Sequence, residues 1–231
     1  KAKVVHKMTI LFLIRHGQNN WVGKRLAGRT AGVHLNQTGQ QQAQSIAGTL
    51  AELPFKAVYS SPLERAMETA QPLADRLSLP VQIKEGLSEI NFGDWQGKTI
   101  KQLQRMKLWK TVQDQPQEMH FPGGESFQQA QQRLVTCVED LRTQHTKEDL
   151  IACFSHSDSI RLLVTHYLAM PLAAFQRVAI DTASISVIVF HEERIFVPFI
   201  NQIVTTSFSD HFKQQAKKPE KKPTSKKPAV K

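Results

Sequence analysis

The segment MTILFLIRHG, residues 8–17, decides the fold of this chain. Its apolar residues follow one another almost without a break, which is typical of a central strand buried on both faces of a parallel sheet. The polar residues Arg15 and His16 stand at its carboxyl end, and Gly17 follows them. The pattern predicts a buried strand that ends at a charged junction.

Helical and strand-like segments alternate after this strand. Residues 35–53 place apolar side chains at helical spacing, and FKAVYSSP, residues 55–62, returns to strand character. Residues 81–87 predict a further short strand, and TIKQLQRMKLWKTV, residues 99–112, predicts a helix. These segments make up repeated β-α-β patterns.

Two helix starts carry the signature of a capping box. Ser61 and Glu64 form an S-x-x-E pattern, and Ser126 and Gln129 form a similar pattern two helices later. In such a box the side chain of the first residue accepts a hydrogen bond from the backbone N–H of the residue three positions later, and the side chain of that later residue accepts one from the backbone N–H of the first. Both sites are therefore predicted to begin helices.

The last third of the chain predicts three strands. DLIACFSH, residues 149–156, predicts a strand that runs directly into a helix, and residues 183–190 and 194–200 predict two strands joined by a tight turn at Glu192 and Glu193. The whole pattern predicts an α/β fold, a three-layer sandwich with a mixed, mostly parallel sheet of about six strands and helices on both faces.

Charge divides the chain into three parts. Residues 213–231 hold eight Lys and one Glu and repeat Lys-Lys-Pro three times, and residues 1–7 hold three Lys, whereas the remainder has 19 basic and 19 acidic residues. We expect an N-terminal extension at 1–7, a catalytic domain at 8–205 and a disordered Lys/Pro-rich tail at 206–231. Because the middle part has no net charge, we expect no specific nucleic-acid binding, only weak, salt-dependent attraction of polyanions by the tail.

Cysteine content and hydropathy indicate the compartment. The chain has only two cysteines, Cys137 and Cys153, and neither belongs to a disulfide framework or to a CxxC motif. No apolar stretch approaches the length of a membrane span, and residues 1–7 lack the apolar core of a signal peptide. We therefore expect a cytoplasmic protein with no membrane association.

Four junctions at the carboxyl ends of the predicted strands carry charged side chains. Ligands of open α/β sheets bind at this edge. The junctions IRHG, SSPLER, SEINFGDW and SHSDS supply two arginines, two histidines and a carboxylate: Arg15, His16, Arg65, Glu89 and His156. This set suits a phosphate dianion with proton transfer beside it.

Each residue type suits a step of phosphoryl transfer. Arginine offers planar, permanently charged donors to phosphate oxygens, which suits Arg15 and Arg65. A neutral imidazole has a lone pair for attack on phosphorus, so His16 is the candidate nucleophile. A carboxyl group whose pKa is raised by burial can protonate a leaving alcohol, and Glu89 is the first candidate for this role, followed by Asp94.

The second histidine, His156, is expected to be partly or wholly protonated and to stabilise transition-state charge.

The ordered motifs LIRHGQ, SSPLERAMETA, SEINFGDWQG, PGGES and SHSDSIR resemble those of the histidine phosphatase superfamily, in its phosphoglycerate-mutase-like branch, over residues 9–199. The resemblance implies that His16 is phosphorylated, that Arg15, Arg65 and His156 complete the phosphate pocket, that Glu89 donates the proton, and that no metal is needed.

The chain departs from the family pattern at two positions. Many relatives carry an asparagine that contacts phosphate where this chain has Val22, and three nearby residues are candidates to replace it: Asn19, Asn20 and Arg25. The usual glycine after the second histidine is Ser157 here, whose amide is still available to substrate. We expect substrate specificity to depend on residues 22–35 and 92–127.

Three functions are consistent with the sequence. The first is a phosphatase acting on a small phosphorylated metabolite, without a cofactor. The second is a phosphoglycerate mutase, which would need a bisphosphorylated primer and extra segments that exclude water. Glu89 and His156 are only 67 positions apart, which leaves room for only a short cover over the site. The phosphatase is therefore favoured over the mutase. The third is a polyanion-binding module acting through the tail. The protein is expected to be a monomer or a homodimer.

Overall fold

A six-stranded mixed sheet forms the centre of the protein. The computed structural model describes residues 8–145, 149–192 and 194–203. The strands are β1 (Met8–Arg15), β2 (Phe55–Ser60), β3 (Val81–Ile83), β4 (Asp149–Ser155), β5 (Ser184–His191) and β6 (Arg194–Ile203). The sheet order is β3-β2-β4-β1-β5-β6. The pairs β1–β4, β2–β4 and β2–β3 are parallel, and β5 pairs antiparallel with both β1 and β6.

Strand β1 is buried on both faces, as its apolar run predicts. Leu11 and Leu13 belong to the apolar core on one side of the sheet, and Ile14 belongs to the core on the other side. All three side chains are fully buried. A strand in this position needs apolar residues at odd and even positions alike, which explains why its sequence does not alternate.

The helices form the two outer layers. Helices α1 (Gln37–Leu50) and α2 (Glu64–Leu77) pack on one face, and α5 (Phe127–Gln144) and α6 (Ser157–Tyr167) pack on the other. The predicted three-layer α/β sandwich with a mostly parallel sheet is therefore confirmed. The predicted tail, residues 206–231, and the extension, residues 1–7, lie outside the described residues.

One of the two predicted capping boxes forms. At the start of α5, Ser126 Oγ accepts a hydrogen bond from the N–H of Gln129, whose side chain in turn accepts from the N–H of Ser126. At α2 the prediction was wrong, because the helix begins at Glu64 without a side-chain cap. Ser61 is bonded to His156 instead, and the Glu64 carboxylate accepts from the N–H of Gly32.

The segment at residues 99–112 forms two short helices rather than one. They are α3 (Ile100–Leu103) and α4 (Trp109–Asp114), and α3 begins with a capping box between Thr99 and Gln102. The break turns the chain so that Trp109 stacks on Trp95, with ring centroids 6.5 Å apart. Tertiary packing of aromatic side chains therefore overrides the local helical pattern.

Two glycines allow the loop after β1 to lie against α1. A Cβ built on Gly17 would stand 2.7 Å from the carbonyl oxygen of Gly39, and a Cβ on Gly39 would stand 2.1 Å from the carbonyl oxygen of Gln18. Both distances are shorter than van der Waals contact. The backbone after His16 therefore approaches the helix as closely as it does only because both residues lack side chains.

This contact predicts opposite effects for one substitution at two positions of α1. Gly39→Ala should lower the free energy of unfolding by roughly 1–3 kcal/mol, because backbone atoms must shift. Gly48→Ala should raise it by up to about 1 kcal/mol, because Gly48 is exposed and its nearest neighbour, Arg76, lies 3.9 Å from the added carbon. Urea denaturation measures both, and equal effects of the two substitutions would contradict the contact.

Candidate active site

A cavity of about 630 Å³ opens at the carboxyl end of β1 and at the start of α6. We call it the carboxyl-edge pocket. It lies where β1 and β4 run parallel, the edge at which open α/β sheets bind ligands. Its lining includes Arg15, His16, Arg65 and Glu89, so four of the five predicted site residues face one cavity.

His16 is buried and held in a defined orientation. Its Nδ1 lies 2.7 Å from the carbonyl oxygen of Gly17, which accepts the ring proton. Nε2 is therefore left with a free lone pair. Burial, together with the charges of Arg15 and Arg65, lowers the pKa of His16 well below its ordinary value. The ring is neutral at neutral pH, as a nucleophile must be.

Two arginines place unpartnered donors in the pocket. Arg15 donates from Nη1 to the carbonyl of Ile180 at 2.7 Å, and Arg65 donates from Nη2 to the carbonyl of Gly28 at 2.7 Å. Among the described residues, the buried Nε of Arg15 and the buried Nε and Nη1 of Arg65 have no hydrogen-bond partner. Burial lowers the pKa of Arg65 to about 10, so its guanidinium stays charged at neutral pH.

His156 lies beside His16, with the two ring centroids 5.3 Å apart. Its Nε2 is 2.8 Å from Ser61 Oγ, and its buried Nδ1 has no hydrogen-bond partner in the described part of the chain. Burial and the charge of Arg65 lower the pKa of His156 well below its ordinary value. The ring is thus neutral, whereas we expected a partly or wholly protonated one. The hydroxyl of Ser61 already accepts from the N–H of Leu63 at 3.3 Å, so we assign its own proton to the bond with Nε2, which leaves the ring proton of His156 on Nδ1.

Glu89 is a buried carboxyl group in the pocket wall. Its Oε1 accepts from the N–H of Ile90 at 3.0 Å and lies 3.0 Å from Ser159 Oγ. Burial raises the pKa of Glu89, and the negative charge of Asp158 raises it further. A carboxyl group with a raised pKa holds a proton that it can give to a leaving group.

The structure separates the remaining candidates. Asn19 and Ser157 line the pocket, as does Val22. Asn20 is exposed and bonds Asn36, and the exposed Arg25 donates to the carbonyl of Gly97, so neither of them lines it. Asp94, the second candidate for the acid, is exposed beside Gly123 and lies outside the pocket lining. Glu89 is thus the better-placed of the two carboxyl candidates.

Sequence reasoning missed several residues that hold the site in place. Ser61 is hydrogen-bonded to His156. The hydroxyl of Ser159 lies 3.0 Å from both the backbone carbonyl oxygen of Ser88 and the carboxyl oxygen Oε1 of Glu89. Arg161 bonds Asp158 at 2.8 Å in the pocket wall. Serines adjoining a strand end carry no spacing signal, because their partners are distant in sequence. The pair Asp158 and Arg161 has i, i+3 spacing, which was the one available signal.

Residues 8–145, 149–192 and 194–203 contain neither a metal-binding cluster nor a membrane-spanning helix. No group of three or more His, Cys, Asp or Glu side chains in these ranges is arranged to hold a metal ion. None of the helices in them is both long and apolar enough to cross a bilayer.

The fold and the pocket together define an α/β enzyme in which buried arginine donors line the same cavity as a neutral histidine. The model of the histidine phosphatase superfamily (branch 1) matches residues 11–203, and the chain belongs to this family. It is 28% identical over 199 residues to phosphoserine phosphatase 1 of Hydrogenobacter thermophilus, covering 84% of this chain and 92% of that protein. It is 27% identical over 168 residues to a 2,3-bisphosphoglycerate-dependent phosphoglycerate mutase of Cytophaga hutchinsonii, covering 69% of this chain and 77% of that one.

Solved structures agree with this assignment. A mycobacterial glucosyl-3-phosphoglycerate phosphatase superposes with a TM-score of 0.77 at 25% identity, covering 84% of this chain and 99% of that chain. The protein YhfR of Bacillus stearothermophilus gives a TM-score of 0.79 at 26% identity, covering 84% and 98%. These relatives share the fold of the chain over nearly all of their own length.

The unpartnered donors of Arg65 predict a strict need for arginine. Arg65→Lys keeps the charge but loses the planar, bidentate group, so the Kd for inorganic phosphate should rise about ten- to a hundredfold. Arg76→Lys, an exposed substitution in the same helix, should leave it unchanged. Isothermal titration calorimetry measures both, and equal affinities for the two variants would show that Arg65 does not contact the anion.

Proposed function

We propose that this protein is a phosphomonoesterase that acts through a phosphohistidine at His16. One observation carries the proposal: four buried nitrogens of Arg15, Arg65 and His156 have no partner among the described residues, and these side chains belong to the same site as His16, with the arginines in the same cavity lining and the second histidine ring 5.3 Å away. Leaving a buried donor unsatisfied costs about 1–3 kcal/mol. A phosphate group supplies acceptor oxygens for all four donors at once.

The first step transfers the phosphoryl group to His16. The lone pair of Nε2 attacks phosphorus in line with the ester oxygen, the N–P bond forms and the P–O bond of the ester breaks. The carboxyl group of Glu89 gives its proton to the departing alkoxide, so an alcohol leaves. Arg15 and Arg65 bind the equatorial oxygens, and the Nδ1 proton of His156 adds a further hydrogen bond to the developing charge.

The second step is hydrolysis of the phosphohistidine. The Glu89 carboxylate takes a proton from a water molecule, whose oxygen attacks phosphorus. The new P–O bond forms as the N–P bond breaks and its electron pair returns to Nε2, which releases inorganic phosphate and restores neutral His16. The pocket lining includes the exposed residues Gly23, Arg177 and Ala179, through which water has direct access. A mutase must keep water away from its phosphohistidine, so this open wall favours hydrolysis over return of the phosphate to the substrate.

The proposed chemistry draws its positive charge from the protein itself. Two arginines and a histidine N–H take the place that metal ions hold in other phosphoryl-transfer sites, so we propose a reaction without metal or organic cofactor. The substrate is a small phosphate ester, in keeping with the phosphatase names of the relatives. The cytoplasmic location and the monomeric or homodimeric state stay predictions.

Replacing the nucleophile tests the mechanism. His16→Ala should lower kcat/KM for p-nitrophenyl phosphate, assayed with a metal chelator, by at least about a thousandfold, because no covalent intermediate can form. After rapid quenching, the wild-type protein should carry an alkali-stable, acid-labile phosphoryl group and the variant none. His120→Ala, an exposed histidine outside the pocket, is the control and should behave as wild type. A label on the His16→Ala protein would place the nucleophile elsewhere.

Replacing the acid tests the origin of the proton. Glu89→Gln should lower kcat/KM for an alkyl phosphate by about 10²–10⁴-fold, because an alkoxide leaves poorly without a proton. The loss for p-nitrophenyl phosphate should be far smaller, since its leaving group is stable as an anion. Glu85→Gln, an exposed glutamate nearby, should change neither rate. Equal slowing of both substrates by Glu89→Gln would assign the proton to another donor.

The lowered pKa of His16 and the raised pKa of Glu89 predict the pH profile for alkyl phosphates. The reaction needs neutral His16 and protonated Glu89. Because the pKa of His16 is lowered, activity should persist below the usual titration range of histidine; because the pKa of Glu89 is raised, activity should fall only above the usual range of a carboxylate. The alkaline fall in kcat/KM should disappear in Glu89→Gln. Its persistence there would show that a different group titrates.

A further inference from the structure

A second cavity adjoins the carboxyl-edge pocket. It has a volume of about 380 Å³, and we call it the aromatic chamber. Six residues line both cavities, which therefore share one boundary: Leu26, Phe92, Ile100, Asp158, Arg161 and Gln176. Seven more residues line the chamber alone: Trp95, Leu103, Trp109, Val112, Gln113, Phe121 and Phe127. Apart from Gln113, these seven are apolar or aromatic.

Aromatic contacts hold the chamber wall in shape. Phe121 makes edge-to-face contacts with Phe92, Trp95 and Phe127, at centroid distances of 4.9, 5.3 and 5.3 Å respectively. Trp95 also stacks on Trp109. Interlocked rings of this kind resist collapse into a neighbouring space. The chamber is thus a preformed feature of the folded chain.

Two polar groups belong to the chamber lining. The indole N–H of Trp95 is buried and has no hydrogen-bond partner in the described ranges, although buried indole groups usually have one. At the shared boundary, Arg161 donates hydrogen bonds to Asp158 and to the carbonyl of Val178, at 2.8 Å each. Its charge is therefore already neutralised by Asp158 before any ligand binds. The chamber itself contains no free charge among its lining residues that would oppose an apolar group.

We propose that the aromatic chamber receives the alcohol part of the substrate, and that the natural substrates are phosphomonoesters of alcohols bearing an apolar or aromatic group. This inference rests on the proposed function, since the phosphate must be anchored at His16. The boundary residues Leu26, Phe92 and Ile100 line both cavities and offer a continuous apolar path from one to the other. An apolar leaving group would extend along this path once its phosphate is bound.

A series of primary alkyl phosphates tests the proposal. All of them leave as primary alkanols of similar acidity, so the chemistry stays constant while the apolar length changes. Complete burial of one methylene is worth up to about fourfold in binding. We expect kcat/KM for octyl phosphate, kept below its micelle concentration, to exceed that for ethyl phosphate by at least about tenfold. A ratio of about one would overturn the proposal while hydrolysis of both left the proposed function standing.

Filling the chamber provides the matched test. Val112 lines only the chamber, so Val112→Phe should reduce the octyl-to-ethyl ratio at least about fivefold and leave the rate for ethyl phosphate in place. Thr111→Phe, on the adjacent position of α4 and outside both linings, should keep the wild-type ratio. Because the ratio is taken within one preparation, a partly unfolded variant lowers both rates alike. An unchanged ratio in Val112→Phe would contradict the proposal.

A binding measurement separates the two hypotheses. Trp95 and Trp109 line the chamber, so octyl phosphate should change the intrinsic fluorescence of the His16→Ala protein, and ethyl phosphate should not. If neither phosphate is hydrolysed by the wild-type protein, the proposed function fails. The assignment of natural substrates then fails with it, while the fluorescence titration still decides whether the chamber binds the apolar chain, and equal responses to the two phosphates would overturn that binding.

Discussion

The parallel pairing of β1 with β4 is the interaction on which the rest of the site depends. Its register sets Arg15 opposite Ser155, and one further bond, from the N–H of His16 to the carbonyl of Ser155, extends the pairing to the end of both strands. The two histidines thereby leave adjacent strands at the same level. A slip of one residue would turn each side chain to the opposite face of the sheet, so the site and the two apolar cores require the same register.

Without a bound anion, the charged groups of the pocket lower the stability of the folded protein. Two arginines and two histidines lie close together, and burial lowers the pKa of each of them. An ionised Glu89 would offset part of the repulsion between the two arginines. The pKa of Glu89 is raised, however, which favours its neutral, protonated form. The pocket therefore contains more positive charge than negative charge. An anionic ligand would remove this imbalance, so the side chains that are costly to fold are also those that bind the phosphate of the proposed substrate.

The sequence predicted those parts of the fold that depend on local pattern. The unbroken apolar run of β1, the alternation of strands and helices, and the capping box at Ser126 all reflect interactions within a few residues. The failed capping box at Ser61 and the split of residues 99–112 reflect contacts with His156 and with Trp95, which are distant in sequence. Of the site residues, those at strand ends could be placed because the sheet edge brings them together, whereas Asn20 and Arg25 belong to a loop whose path no local rule determines.

The two ends of the proposed substrate meet different kinds of structure. The phosphate end faces Arg15, Arg65 and His156, which hydrogen bonds to the carbonyls of Ile180 and Gly28 and to the hydroxyl of Ser61 hold in place. Small movements would misalign these donors. The alcohol end faces residues 92–127, where short helices and aromatic packing form the wall. Packing against an apolar wall is less directional than hydrogen bonding to phosphate, and a change of side-chain volume there alters the fit without moving the nucleophile. Substitutions in this segment should therefore change which alcohol is accepted while the chemistry at His16 stays the same.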